Sequence, residues 1–401
     1  MTFKFIKKTL LDKTLNTENK KNQKIAFVGT TVSSALNFRG PLIKHLIGQG
    51  HHVFVLCIDY TEKTRQEVEA LGAIPLDYHL NRSRLNPIKD VITTAQLARI
   101  LSKHSIDLVF CFFSKPVIYG LLAARLARIP TRIAMLEGLG WAFTERKDKS
   151  SLKLKIVKFI QLFLYRLSFP FADKVILLNK DDLHDLTSVY RLKIMHPHIL
   201  GGIGVEEKYI SYCPPNRAPI TFIFVGRLLF DKGIREFVKA ARLLKQNLPE
   251  VRFMIFGDCD VSNPESLTPS DVEQLYSVDG IECIGYVENI WPYLHEASVL
   301  VLPSYREGFP KTVQEAMACG RPAIVTDVPG CRQAVVDGVN GFIVPPFSAT
   351  ALAEKMRIFI RDPDILEMMG YNAYTHAKQH YNSEKICDEL GELMLLNRSR
   401  N

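Results

Sequence analysis

The sequence predicts an α/β protein built from two Rossmann-like domains that face each other across a cleft. Three observations predict it. The chain has 401 residues, and domains usually hold about 100–200, so two are expected. Short apolar runs alternate with helical patterns and no hairpin signal intervenes, the pattern of βαβ units on a parallel sheet. The alternation stops near Gly201-Gly-Ile-Gly204 and the Pro214-Pro215 pair and then restarts, which puts the domain change between about Gly204 and Pro219.

In the first half, Lys24 to Gly29 reads as a strand. A loop is expected over Thr30 to Gly40 and a helix over Pro41 to Gly50, since Pro favours a helix start and Gly its end. Strands follow at His52–Ile58, Ala73–Leu76, Asp107–Phe113, Arg132–Leu136 and Lys174–Leu178, with helices at Thr61–Leu71, Pro87–His104 and Pro116–Arg128. A polar stretch, Glu145–Ser151, then leads into a basic amphipathic segment ending near Phe169. In the second half, strands are expected at Ile220–Gly226, Val251–Gly257, Ile281–Ile284, Ser298–Leu302 and Pro322–Val325. Helices are expected at Ile234–Gln246, Asp271–Ser277 and Thr312–Cys319, and closing helices break near Asp362-Pro363 and Tyr381-Asn382. The expected division is a basic extension over 1–23, an N-terminal domain over 24–205, a C-terminal domain over 206–380, and a last helix in 381–401 packing back on the N-terminal domain.

The formal net charge is +9. It is concentrated in the Lys-rich first 24 residues, where only Asp12 and Glu18 oppose it, and between Arg146 and Arg166. Charge so placed, without a zinc finger, helix-turn-helix or RNA-recognition signature, argues against a nucleic-acid partner. The eight cysteines are scattered with no C-x-x-C pair, as expected of reduced, mostly buried thiols in a cytoplasmic protein. The N-terminus lacks the apolar core of a secretory signal, and no stretch approaches the ~20 apolar residues of a membrane span. A nicotinamide site is not expected, because Gly29-Thr-Thr-Val-Ser-Ser34 does not supply G-x-G-x-x-G.

Ligands of open α/β sheets bind beyond the carboxyl ends of the strands. The loop Gly226-Arg-Leu-Leu-Phe-Asp-Lys-Gly233 lies there, with Arg227 and Lys232 five residues apart. A planar guanidinium and a point-charge ammonium before a helix start suit a diphosphate, although a solvated basic loop has the same spelling. The loop Pro303-Ser-Tyr-Arg-Glu-Gly-Phe-Pro-Lys-Thr-Val-Gln-Glu315 follows another apolar strand. Its Glu307 and Glu315 reach one pocket from two elements, and a carboxylate accepts two hydroxyl hydrogen bonds, as a sugar or ribose offers. Here Gly308 permits close backbone approach, and amides near Thr312 face a helix start. A charged residue on a helix is otherwise most often a solvated face.

Together, Arg227-x4-Lys232 and Glu307-x7-Glu315, with Val225-Gly226-Arg227, Gly285-Tyr286-Val287, Pro303-Ser304 and Glu315-Ala-Met-Ala-Cys-Gly-Arg-Pro322, resemble the donor site of the retaining GT-B glycosyltransferases of family 4. The resemblance covers nearly all of residues 24 to 380 and implies the GT-B fold, with a nucleotide-sugar donor in the interdomain cleft. By this resemblance, Arg227 and Lys232 bind the donor diphosphate and stabilise the leaving group. Glu307 takes the donor sugar and Glu315 the ribose. Gly226, Val287, Ser304 and the amides around Gly308, Phe309 and Thr312 complete the donor site. It also implies retention of configuration by front-face attack, with no cofactor and no metal; Asp258-Cys259-Asp260 spells D-x-D but matches the family's G-D/E-G segment.

The acceptor is expected on the N-terminal domain, where the loop after the first strand carries Ser33, Ser34, Asn37 and Arg39. The family's glycine-rich loop is reduced here to Gly29 and Gly40. Many relatives have His where this chain has Glu137, and the variant resembles enzymes that build bacterial surface polysaccharides. Glu137 either orients or deprotonates the acceptor hydroxyl, or caps its own glycine turn. The resemblance implies a UDP-sugar, with GDP-mannose as the alternative, and a polyprenyl-diphosphate-linked saccharide acceptor. The stretch Arg146–Phe171 combines Lys147, Lys149, Lys153, Lys155, Lys158 and Arg166 with an apolar face. It reads either as a helix lying on the anionic inner surface of the cytoplasmic membrane or as an interdomain helix with solvated lysines. A non-catalytic subunit of the same fold is the other alternative, against which all four donor residues stand intact.

Overall fold

The computed structural model describes residues 22–81, 87–145, 152–260, 263, 265–277 and 280–395; the Lys-rich segment 1–21 and the charged stretch 146–151, with Lys147 and Lys149, lie outside the described residues. The N-terminal strands are β1 (Lys24–Val28), β2 (His52–Cys57), β3 (Ile74–Asp77), β4 (Leu108–Phe112), β5 (Thr131–Leu136), β6 (Lys174–Leu177) and β7 (Pro197–Ile199). They form one seven-stranded parallel sheet in the order β3-β2-β1-β4-β5-β6-β7. The second sheet is six-stranded, in the order β10-β9-β8-β11-β12-β13. Its strands are β8 (Thr221–Val225), β9 (Arg252–Phe256), β10 (Ile281–Gly285), β11 (Val299–Leu302), β12 (Ala323–Thr326) and β13 (Gly341–Val344).

The continuous apolar runs follow from helices on both faces of each sheet: every residue of β4, β11 and β12 is buried. Both sheets reverse direction of strand addition at their first strand, between β1 and β4 and between β8 and β11. A crevice opens at each reversal, outside the carboxyl ends of the strands.

The first helix corrects the sequence reading. The expected loop over Thr30–Gly40 is instead the start of α1 (Val32–Gly48), with Pro41 inside it. Thr31 is extended and caps the helix, accepting from the Ser34 amide, while the Val32 amide donates to Asp59 Oδ1 at 2.7 Å. Capping by Thr and Asp starts the helix nine residues before Pro41, and Pro41 costs only one internal hydrogen bond. The next helices are α2 (Glu62–Ala70), α3 (Pro87–Lys103), α4 (Ser114–Leu126) and α5 (Leu152–Ser168). Four short elements have no counterpart in the sequence reading: α6 (Lys180–His184), α9 (Trp291–Glu296), β7 and β13. They are too short for periodicity to show. The second domain carries α7 (Ile234–Lys245), α8 (Pro269–Tyr276), α10 (Lys311–Ala318), α11 (Ala349–Arg361) and α12 (Pro363–His380).

The chain crosses between domains twice. At the first crossing the Val205 amide donates to Tyr381 O at 2.7 Å, and at the second the Ser383 amide donates back to Val205 O at 2.9 Å. The two crossings are thus bonded to each other. Beyond them α13 (Ser383–Leu395) lies along α1. Gly391 allows the approach, His198 meets Glu389 at 2.6 Å, and Lys174 donates to the Leu393 carbonyl.

Candidate active site

A cavity of about 1250 Å³ lies between the two sheets at their carboxyl ends, lined from both domains. On the C-terminal side the loop after β8 is drawn tight by glycines. Gly233 adopts φ +71 and leaves no room for a Cβ beside the Pro303 carbonyl, which fixes where α7 begins. This places Lys232 at the cavity with only 17% of its side chain exposed, 2.5 Å from Glu307 Oε1. The same oxygen accepts from Ser304 Oγ at 2.8 Å, and the Glu307 amide donates to Pro329 O at 3.0 Å. Glu307 is therefore set in position from three sides. Burial pushes the neighbouring Asp231 carboxyl up, with Glu307 adding to the rise and Lys232 opposing it. Arg227 is half exposed and rests on Asp260 at 2.8 Å.

The structure brings Gly226, Arg227, Lys232, Val287, Glu307, Gly308 and Thr312 to the cavity from one domain, and Asn37 and Glu137 from the other. Four expected residues stand behind the wall. Ser304 is buried and reaches the site through Glu307. Phe309 is buried with its ring 5.7 Å from that of Tyr381. Glu315 is held at 3.5 Å by Lys311 of the preceding turn, and burial raises its carboxyl while Lys311 opposes the rise.

Arg39 is the clearest correction. It was expected on the acceptor side, but it is 1% exposed, lies over the Phe110 and Phe112 rings and is ion-paired to Glu137. The reason is the early start of α1, which turns position 39 inward. Glu137 consequently has both oxygens engaged by the protein, one by Arg39 and one by the Phe113 amide at 2.9 Å. Burial raises its carboxyl, opposed by the Arg39 charge and the Phe113 amide.

The two domains touch at the cavity floor. A Cβ on Gly308 would overlap the Glu137 carbonyl, so the loop after β11 lies directly on the loop after β5. Asn179 caps α6 through the Asp182 amide and also donates to Gly308 O at 2.6 Å. Arg306, which the sequence reading passed over, enters the N-terminal domain beside it. Its guanidinium is 8% exposed and pairs with Asp182 and, at 2.7 Å, with Asp185. Burial raises the Asp182 carboxyl, with Arg306 opposing the rise. A short charged helix after a strand looks like surface in sequence; only Arg306 from across the cleft gives the buried Asp182 and the partly exposed Asp185 beyond it a cation.

The amphipathic helix α5 serves two surfaces. Val157, Gln161 and Leu164 line the cavity, whereas Leu152, Ile156, Phe159, Phe163 and Leu167 form an exposed stripe. Ile88, Val91 and Ile92 on α3 are also exposed, and α4 packs against both helices. Of the lysines singled out in the sequence, Lys153 and Lys155 are exposed, while Lys158 sits over the Phe143 and Tyr190 rings.

Residues 24–179 match the model of a family described as glycosyl transferase 4-like, and residues 211–376 match that of glycosyl transferases group 1. The chain is 30% identical to the N,N'-diacetylbacillosaminyl-diphospho-undecaprenol alpha-1,3-N-acetylgalactosaminyltransferase of Campylobacter jejuni, over 89% of this chain and 94% of that one. It is 26% identical to the UDP-Gal:alpha-D-GlcNAc-diphosphoundecaprenol alpha-1,3-galactosyltransferase of Escherichia coli, over 77% and 80%. In fold it is similar to Anabaena Alr3699/HepE in complex with UDP, with TM-score 0.74 at 17% identity, over 92% of this chain and 99% of that one.

Proposed function

Since the chain belongs to the group 1 glycosyl transferases and is a glycosyltransferase of GT-B fold, we propose that it moves a sugar from a UDP-sugar to a polyprenyl-diphosphate-linked saccharide, with retention, in the assembly of a bacterial surface polysaccharide. The observation that carries this reading is the Lys232–Glu307 pair, 2.5 Å apart on the cleft floor, with Arg227 beside it at the cavity and the start of α10 opposite. The acceptor class is taken from the Campylobacter and Escherichia relatives, and the uridine base from the Escherichia relative and the Anabaena structure.

Breaking the bond between sugar and diphosphate builds positive charge on the sugar and negative charge on the leaving group. Lys232 meets that negative charge from a fixed position, joined by Arg227 once it leaves Asp260 and by the α10 amides as that helix moves in, and charge of this kind at the leaving group is the largest single aid such a site can give. In this reading the protein cations serve in place of a divalent ion. Glu307 accepts from the sugar hydroxyls, and Glu315 from the ribose once the donor draws α10 inward. The acceptor hydroxyl attacks from the leaving-group side and passes its proton to the departing phosphate. With both oxygens engaged, Glu137 positions the loop of Gly138 under Gly308 rather than taking the proton itself.

A thermal-shift panel of UDP, GDP, ADP and their common sugar forms tests the donor site. Uridine nucleotides are expected to stabilise the wild type, by about 2.7 kcal/mol at a hundredfold excess over Kd, and equally in EDTA. Glu307→Ala should lose the extra gain from the sugar form and keep that from UDP. GDP-mannose acting in place of UDP-sugars would reassign the base. A folded chain that responds to no nucleotide would end the reading.

A lipid-linked acceptor is presented at a membrane surface. No helix among the described residues is long and apolar enough to cross a membrane. The exposed stripe of α5, flanked by Lys153 and Lys155, is suited to lie on an anionic leaflet. Vesicle flotation should show binding that rises with anionic lipid and is lost in the double variant Phe159→Glu, Phe163→Glu, whose nucleotide shift stays normal. Flotation indifferent to anionic lipid, or to the variant, would remove the membrane role.

A further inference from the structure

Pro41 has no amide hydrogen, so within α1 the carbonyl of Asn37 loses the partner that a helix supplies four residues on. That carbonyl accepts instead from Lys311 Nζ at 3.1 Å, across the cleft. Lys311 is the first residue of α10, and its ammonium also lies 5.5 Å from the centre of the Phe38 ring and 3.5 Å from Glu315 Oε1. Asn37 and Phe38 on one side, and Thr312 on the other, line the cavity wall at this point. One ammonium therefore touches the mouth of both domains and the carboxylate assigned to the ribose.

We propose that Lys311 is a positioning residue: it latches α10 to the carbonyl that Pro41 leaves open in α1, and with the same charge it orients Glu315, so that domain closure and donor binding are coupled through one side chain. The coupling half rests on the donor-site reading given above; the latch half does not. The chemistry calls for a flexible cation with several donors. Three donors on a flexible stem serve a carbonyl, a ring face and a carboxylate at once. A ribose diol that takes up Glu315 oxygens competes with Lys311 for them and leaves the ammonium more fully to Asn37, tightening the closed cleft.

The test uses the full chain and the variants Lys311→Met, Lys311→Arg and Pro41→Ala. Pro41→Ala restores the internal helix bond to Asn37 O, so it weakens the latch without touching α10 and without harming the helix. Small-angle scattering without nucleotide is expected to show a larger radius of gyration for Lys311→Met and Pro41→Ala than for wild type, and a wild-type value for Lys311→Arg. Titration with UDP is then expected to show binding about tenfold weaker in Lys311→Met, the loss of a hydrogen bond to a charged group, and a smaller loss in Pro41→Ala. Unchanged scattering in both variants overturns the latch. Altered scattering with unchanged UDP affinity overturns the coupling. A wild type that binds no nucleotide while the variants still open ends the donor reading and leaves the latch standing.

Discussion

Lys232→Ala is expected to lower turnover by about 10²–10³-fold, the cost of removing one fixed electrostatic donor from a transition state. Lys232 is the more sheltered of the two cations that this loop brings to the cavity, 17% exposed against 52% for Arg227. A charge held in a sheltered site acts through a lower effective dielectric than one in water. Arg227 must also leave Asp260, 2.8 Å away, before it can serve a diphosphate. Arg227→Ala is therefore expected to cost roughly ten times less in rate than Lys232→Ala. Removing Lys232 also takes from Glu307, 12% exposed, the cation that holds it in position. Lys232→Arg keeps the charge and separates that effect from the loss of the leaving-group contact. The measurement is steady-state transfer, or donor hydrolysis, with the nucleotide-sugar that stabilises the wild type. A folded Lys232→Ala that retains a tenth of wild-type turnover would sink the assignment.

The second large effect is on stability. Arg306→Ala is expected to destabilise the fold by about 3–5 kcal/mol, the range for breaking a buried ion pair from one side. Arg306 joins the loop of Glu307 to Asp182 and Asp185 of the other domain. Burial raises the Asp182 carboxyl, so holding it charged at neutral pH is a cost that Arg306 offsets. Removing Arg306 exposes that cost; removing the charge instead, in Asp182→Asn, relieves it and leaves Arg306 with Asp185. The sign for pH follows. A carboxyl raised on folding favours the folded state at low pH and loses that contribution as pH climbs through its folded value. The Arg306→Ala defect should therefore shrink as the pH is lowered toward the carboxylate range. Denaturant titrations of both variants at neutral and mildly acidic pH check this. Equal losses for the two variants, or an Arg306→Ala loss independent of pH, would show that the pair is not held as described.

Much of this site was legible before any coordinates. The strands announce themselves because a parallel sheet covered on both faces needs unbroken apolar runs, and Thr221–Val225 and Val299–Leu302 are such runs. The loops after them carry Arg227, Lys232 and Glu307 within a few residues of a strand end, so local chain geometry alone brings them to one edge. The start of α1 was misread because Pro41 is a strong local signal for a helix start, while the Asp59 contact that helps begin the helix is 27 residues away.

By itself, the sequence determined the two α/β domains, the strand-end loops and the charged residues they bring to the cavity, because each depends on hydrophobic period or on neighbours along the chain. The tertiary structure alone decided which polar groups are hidden. Arg39 and Glu137 form a buried pair 98 residues apart, Arg306 finds Asp182 124 residues away, and Lys311 reaches a carbonyl 274 residues away. Burial and partnership of charges are properties of what comes from elsewhere in the chain, and no local pattern encodes them.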